Sequence, residues 1–152
     1  MWSVELWGDV DDKKYVKYMK YIIKKNRLEN RVQFKGVTIN VEEVLRSGDV
    51  FVMPSAYEGF PLALTEAMSM GLPVVAYKSC CGANELIKDK KNGLLCNDGV
   101  ESLAEMLKLL MSDKKWRVKL GANARKDMIQ YNGTAIWDKW EGLLMNIAYS
   151  KG

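Results

Sequence analysis

The residues best suited to chemistry lie in EGFPLALTEAMSMGLPVV, Glu58 to Val75, where seven residues separate two carboxylates, Glu58 and Glu66. An ionised carboxylate only accepts hydrogen bonds, so beside an anion its natural partners are hydroxyls, as on a ribose. Between the two, Gly59-Phe60-Pro61-Leu62 leads into a helix. Pro61 suits a first helical turn, where its missing amide costs nothing, and Gly71 before Pro73 suits a helix end. The amides of Gly59, Phe60 and Leu62 fall at or near that start, where unpaired donors and the positive end of the dipole attract phosphate. Gly59 has no side chain to hold a ligand away. Glu66 follows Leu62 by about one turn on the same side of the helix. Glu58 approaches from the loop before it. Two hydroxyl acceptors around one anion site suit a nucleotide sugar.

The elements that must position these residues are short apolar runs alternating with helical patterns, the mark of a parallel sheet with crossover helices. Ser3 to Trp7 reads as a strand, about Asp12 to Asn26 as a helix with an acidic start, and Arg31 to Lys35 as a second strand. Asn40 is placed to cap the helix VEEVLRS, which Gly48 would close in a left-handed conformation. Asp49 to Pro54 is apolar and of strand length, as expected of a central strand covered on both faces. Doubly wound sheets bind ligands beyond the carboxyl ends of their strands, which selects the loop Ser55 to Phe60.

Val74 to Tyr77 is the next strand, then a loop with Cys80, Cys81 and Gly82, a brief helix near Asn84 to Lys88, the turn KDKKNG and the strand Leu94 to Cys96. Gly82 is a further candidate site residue, although a strand-to-helix loop needs glycine anyway. Glu85 reads as first-turn capping. Three amphipathic helices follow, at about Glu101 to Met111, Lys114 to Gln130 and Ala135 to Ala148, the last with Ile136, Trp137, Trp140, Leu143, Leu144 and Ile147 on one face. The fold class is α/β, one Rossmann-like domain over 1–152, with strands and helices alternating over 1–98 and helices alone over 99–152.

With 152 residues, 48% apolar and 28% charged, one compact core is the expectation. The chain has no His and three Cys, two of them adjacent, which removes His-dependent triads, the usual zinc ligand sets and a disulfide framework. The thiols read as reduced, and no base adjoins Cys80 or Cys81 to activate one. The N-terminus lacks the basic and apolar regions of a signal peptide, so the expected compartment is the cytoplasm. A net charge of +4 suits an anionic small molecule or an acidic membrane surface and is too diffuse for DNA. The lysines from Lys13 to Lys25 read as the solvated face of an amphipathic helix.

On this motif the sequence resembles the retaining glycosyltransferases of family 4, whose C-terminal domain carries two Glu in a pattern like EGFP....EAM..G.PVV. Glu58, Gly59, Phe60, Pro61, Glu66, Ala67, Met68, Gly71, Pro73, Val74 and Val75 match it. RVQFKG looks like the family's strand and loop beside the nucleotide base, and ANELIKDKKNGLL like its later helix, turn and strand. The resemblance implies the GT-B architecture, two Rossmann-like domains with the active site between them, of which this chain is the C-terminal one. It implies Glu58 near the transferred sugar, the backbone from Gly59 to Leu62 at the diphosphate, Glu66 on the ribose, and Phe34 and Lys35 beside the base through backbone contacts.

The donor implied is a UDP- or GDP-type nucleotide sugar, used with no cofactor and no metal. The acceptor is a saccharide or a lipid-linked sugar, with polysaccharide biosynthesis the usual setting. Trp7-Gly8-Asp9 matches the family's second strand and its turn, so the Arg and Lys that clamp the diphosphate are expected before Met1, together with an N-terminal acceptor domain. The chain alone is expected to lack efficient transfer, and the full-length protein to associate with the membrane, if at all, peripherally. The alternatives are a non-catalytic nucleotide-binding or interaction module, or another GT-B enzyme such as a sugar epimerase. An NAD-binding domain fails, because Gly8 is followed by Asp-Val-Asp-Asp rather than GxGxxG.

Overall fold

A computed structural model describes residues 1–150. The chain divides into two compact units, Met1–Val41 and Glu42–Gly152, where composition led us to expect one core.

In the first unit, strands β1 (Val4–Trp7) and β2 (Val32–Gly36) pair in parallel, with Val4 opposite Val32 and Leu6 opposite Phe34. A parallel pair needs a crossover, supplied here by helix α1 (Lys13–Lys25). The acidic start expected for this helix takes the form of a cap, Asp12 Oδ1 accepting from the Tyr15 amide at 2.9 Å. Val16, Met19, Ile22 and Ile23 form its inward stripe, and of these Ile23 alone is fully buried.

The second unit begins with helix α2 (Val41–Ser47), whose first residue lies at the boundary. Gly48 does not close it in the left-handed region; its amide donates to the Leu45 carbonyl at 3.1 Å, a tight turn open to any residue. Strands β3 (Phe51–Met53), β4 (Val74–Tyr77) and β5 (Leu94–Cys96) form a parallel sheet in that order. The central place in this sheet belongs to β4 and not, as expected, to β3. Val74, Val75 and Ala76 of β4 are fully buried, whereas Phe51 and Val52 are half-buried.

Alternation along β4 sends Val74 and Ala76 to one face and Val75 to the other. On the first face lie Leu64, Ala67 and Met68 of helix α3 (Leu62–Ser69), Ala83 and Leu86 of α4 (Cys81–Leu86), and Ala124 and Met128 of α6 (Lys114–Met128). On the second lie Leu103, Met106, Leu107 and Leu110 of α5 (Val100–Ser112), with Leu120 and Trp116 of α6. The sheet is thus covered on both sides, the arrangement that permits continuous apolar strands.

Helix α4 starts three residues before the expected Asn84 and ends two before Lys88. The Lys88 amide donates to Asn92 Oδ1 at 2.7 Å, so it serves the next turn instead of the helix. Asn92 is fully buried; its Nδ2 donates to the Leu86 carbonyl at 3.1 Å and to Asp127 Oδ2 at 2.8 Å. Lys88 Nζ reaches the same Asp127 oxygen at 3.0 Å, which ties KDKKNG to α6. After α6 a single 3-10 turn, Ile129–Tyr131, leads to α7 (Gly133–Tyr149), on which Trp137, Trp140, Leu143, Leu144 and Ile147 are exposed. Among the described residues no helix is long and apolar enough to cross a membrane.

Candidate functional site

Because β3 and β4 are parallel, the loops leaving their carboxyl ends emerge on the same edge of the sheet, and they meet. The Gly82 amide, at the start of α4, donates to the Glu58 carbonyl at 3.1 Å. The approach is closer than any side chain allows. A Cβ on Gly82 would stand 2.5 Å from the Gly59 carbonyl oxygen, 2.7 Å from that of Glu58 and 2.9 Å from Pro61 Cδ. Gly82 therefore serves as a seat for the loop of the two carboxylates, a stronger requirement than the turn glycine read from sequence. Its own loop is held in turn by Asn84 Nδ2 donating to the Lys78 carbonyl at 2.9 Å and Ser79 Oγ donating to Asp98 Oδ1 at 2.7 Å.

Pro61 is buried and occupies the N-cap of α3, one position earlier than expected, with an extended ψ of 91°. Its carbonyl accepts from the Leu64 and Thr65 amides at 3.1 Å each. A proline nitrogen carries no hydrogen, so the orphan donors of this helix start at Leu62. Leu62 is 66% exposed, and Glu66, one turn on, is also exposed. Glu58 is half-buried with its carbonyl engaged by Gly82, and Gly59 is exposed. The structure thus brings Glu58, Gly59 and Pro61 against Gly82, and leaves Leu62 exposed at the start of α3 with Glu66 exposed one turn on. Such an arrangement can accept an anion at the amides and hydroxyls at the acids.

The ring of Phe60 is 55% exposed and meets Tyr131 of the 3-10 turn, with centroids 5.9 Å apart and planes at 58°. Sequence reading missed Tyr131, since no local pattern links a residue after α6 to a loop after β3. Glu85, expected in the first turn of its helix, lies instead in the last turn of α4 and is exposed. Phe34 and Lys35 belong to the first unit. Lys35 Nζ lies 3.4 Å from Glu5 Oε1 and 5.8 Å from the centre of the Trp7 ring, while Trp7 Nε1 donates to Glu5 Oε2 at 3.0 Å. Phe34 is half-buried, with Lys20 Nζ 5.8 Å from its centroid.

Cys80 and Cys96 are buried and Cys81 is exposed, all three as free thiols. Burial pushes the Cys96 thiol up from its ordinary range, with a hydrogen bond from Ser102 acting in the opposite direction, so it stays protonated at neutral pH. Among the described residues no three His, Cys, Asp or Glu side chains gather in a way that could hold a metal ion.

A parallel sheet with helices on both faces, and a loop-to-helix junction at the carboxyl edge of its strands, defines a Rossmann-like fold. The chain belongs to the family Glycosyl transferases group 1, whose model matches residues 2–127. Its structure superimposes on the Anabaena protein HepE in complex with UDP with a TM-score of 0.88, at 29% identity over 95% of this chain and 41% of that one. The C-terminal domain of a group 1 family protein from Francisella tularensis superimposes with a TM-score of 0.70, at 30% identity over 80% of this chain and 64% of that one.

A similar sequence is the N,N'-diacetylbacillosaminyl-diphospho-undecaprenol alpha-1,3-N-acetylgalactosaminyltransferase of Campylobacter jejuni, 34% identical over 72% of this chain. The chain spans 29% of that relative's length, and 40% of an uncharacterized glycosyltransferase of Haemophilus influenzae to which it is 28% identical.

Proposed function

We propose that the chain is the donor-binding half of a retaining glycosyltransferase and binds a nucleoside diphosphate sugar at the start of α3. The observation that carries this reading is the convergence of two strand-end loops, sealed by Gly82, which presents an open helix start between Glu58 and Glu66. The amides of Gly59, Phe60 and Leu62 receive the diphosphate, Glu66 accepts from the ribose hydroxyls, and Glu58 faces the transferred sugar. Phe34 and Lys35 of β2 are the residues proposed to meet the nucleobase. The Lys35 ammonium already has Glu5 and Trp7 as neighbours, so the backbone makes this contact. The nucleotide is of the UDP type, as in the neighbour solved with UDP.

As the glycosidic bond to the diphosphate breaks, negative charge grows on the leaving oxygens and positive charge on the sugar ring. Fixed amides and the helix end stabilise the first, and the Glu58 carboxylate the second, so catalysis rests on positioning and electrostatics. This chemistry requires no metal of the protein. The chain spans 29% of the Campylobacter relative's length, and efficient sugar transfer is proposed for a protein that carries both halves and not for this chain alone. The acceptor is a saccharide or a lipid-linked sugar, the latter as in the Campylobacter relative's name.

The test is a transfer assay on a protein that carries both halves. Glu58→Ala should lower kcat by about a hundredfold or more, with little change in nucleotide affinity. The product should keep the anomeric configuration of the donor. An unchanged rate would remove Glu58 from the chemistry, and an inverted product would remove the retaining mechanism.

A further inference from the structure

The net charge of the chain is not spread over it. Residues 1–41 hold nine Lys and Arg against five Asp and Glu, a balance of +4, which equals the balance of 23 against 19 for the whole sequence. The other 111 residues are neutral. Within the first unit the excess is concentrated on α1, which carries Lys13, Lys14, Lys17, Lys20, Lys24 and Lys25 and no acidic residue.

At 3.6 residues per turn, Lys13, Lys14, Lys17, Lys24 and Lys25 fall within an arc of roughly 120° around Tyr21, opposite the stripe of Val16, Met19 and Ile23 that packs inward. All five lysines are exposed. Tyr15, 59% exposed, lies about 120° from Tyr21, beside Ile22, whereas Tyr21, 61% exposed, stands at the centre of this arc and Tyr18, 58% exposed, at its edge. A merely solvated face has no need of tyrosines there. The sixth lysine, Lys20, lies to one side of the arc, over Phe34.

We propose that the outer face of α1 docks the protein on a bilayer containing anionic lipid. Clusters of four to eight basic residues attract acidic headgroups electrostatically, and tyrosine rings settle at the headgroup level with the hydroxyl in water. The inward stripe of α1 is occupied by packing, so the helix lies on the surface without inserting an apolar face, and binding is reversible and salt-sensitive. The surface stands on the first unit alone and does not depend on the donor-site reading.

The test is flotation of the 152-residue chain with vesicles of phosphatidylcholine alone or with about one-third phosphatidylglycerol. The chain should float only with the anionic vesicles and be released as salt rises from about 0.05 to about 0.3 M. Replacing three lysines together, Lys14→Gln, Lys17→Gln and Lys25→Gln, should weaken partitioning by roughly a hundredfold, and Tyr21→Ala by a few-fold. The same loss of charge on α6, through Lys114→Gln, Lys115→Gln and Lys119→Gln, should change it by less than about threefold. Unchanged circular dichroism confirms that every variant is folded. The proposal is overturned by failure to float with anionic vesicles, by equal binding to phosphatidylcholine, by equal losses from the two triple variants, or by RNA that displaces the chain at equal phosphate concentration.

Discussion

Gly82 shows how one missing carbon fixes the geometry of a site. Its α-carbon sits where any β-carbon would press on two carbonyl oxygens and on the ring of Pro61. None of these is the free end of a flexible side chain, so the loop must move. Gly82→Ala is expected to destabilise the protein by about 1–3 kcal/mol in urea unfolding and to weaken nucleotide binding more than that loss explains. Equal affinity in the variant would mean that the loop position does not matter to the ligand.

A second residue-scale consequence concerns pH. The hydrogen bond from Lys88 lowers the pKa of Asp127, with Asn92 contributing in the same direction. A carboxylate depressed in the folded state stabilises the fold above its unfolded value of about 3.9, and that contribution disappears as pH falls through the folded value. Lys88→Ala should therefore reduce stability at pH 7 by up to about 1 kcal/mol and have less effect below the folded Asp127 value. Equal losses at both pH values would show that the ion pair is not the source.

Local spacing was enough to single out Glu58 and Glu66 as candidates and to place the helix start between them. Tyr131 and the seating role of Gly82 were hidden, because both depend on contacts between segments distant in the chain.

At the level of elements, alternation and helical periodicity were enough to find the five strands and seven α-helices of the described residues, including α7, whose apolar face its sequence displays but the fold leaves exposed. What they did not supply was order within a sheet. The run DVFVMP reads as central because it is apolar, yet β4 takes that place, and β3, on the edge of its sheet, buries Met53 while Phe51 and Val52 stay half-buried. The boundaries of α4 were also beyond local pattern, being set by the competition of Asn92 for the Lys88 amide.

The packing of α6 on the end of α3 is likewise a matter of backbone approach. Gly71 closes α3 with a φ of +79°, and a Cβ on Gly121 of α6 would overlap its carbonyl oxygen. Gly121→Ala gains about 1 kcal/mol in helix propensity, but the overlap with rigid backbone costs more. The expected outcome is a net loss of about 2 kcal/mol or more in chemical denaturation. A neutral or stabilised variant would show that the two helices slide apart at little cost.

For the whole molecule, the two units differ in how much each encloses. Residues 42–150 cover a sheet on both faces with two apolar clusters, whereas the first unit fully buries Ile23 alone among its large apolar side chains. About forty residues with so small a core are marginal by themselves. Amide hydrogen exchange should report β1, α1 and β2 as opening at lower free energy than β4 and α3. Uniform protection across both units would contradict this.

The same unit carries a balance equal to the whole net charge, with six of its nine basic residues on one helix, which composition alone made look diffuse. The family was legible from the motif, but the division of charge and core between units was not, because both are properties of three-dimensional grouping.

The central claim is that the start of α3, between Glu58 and Glu66, holds a nucleoside diphosphate. Calorimetric titration of the chain with UDP and GDP, beside the Glu66→Ala variant, tests it most directly. A carboxylate accepting from ribose hydroxyls contributes about 1.5–3 kcal/mol, so the variant should bind roughly ten- to a hundredfold more weakly. Binding of neither nucleotide, or equal affinity in wild type and variant, would contradict the account.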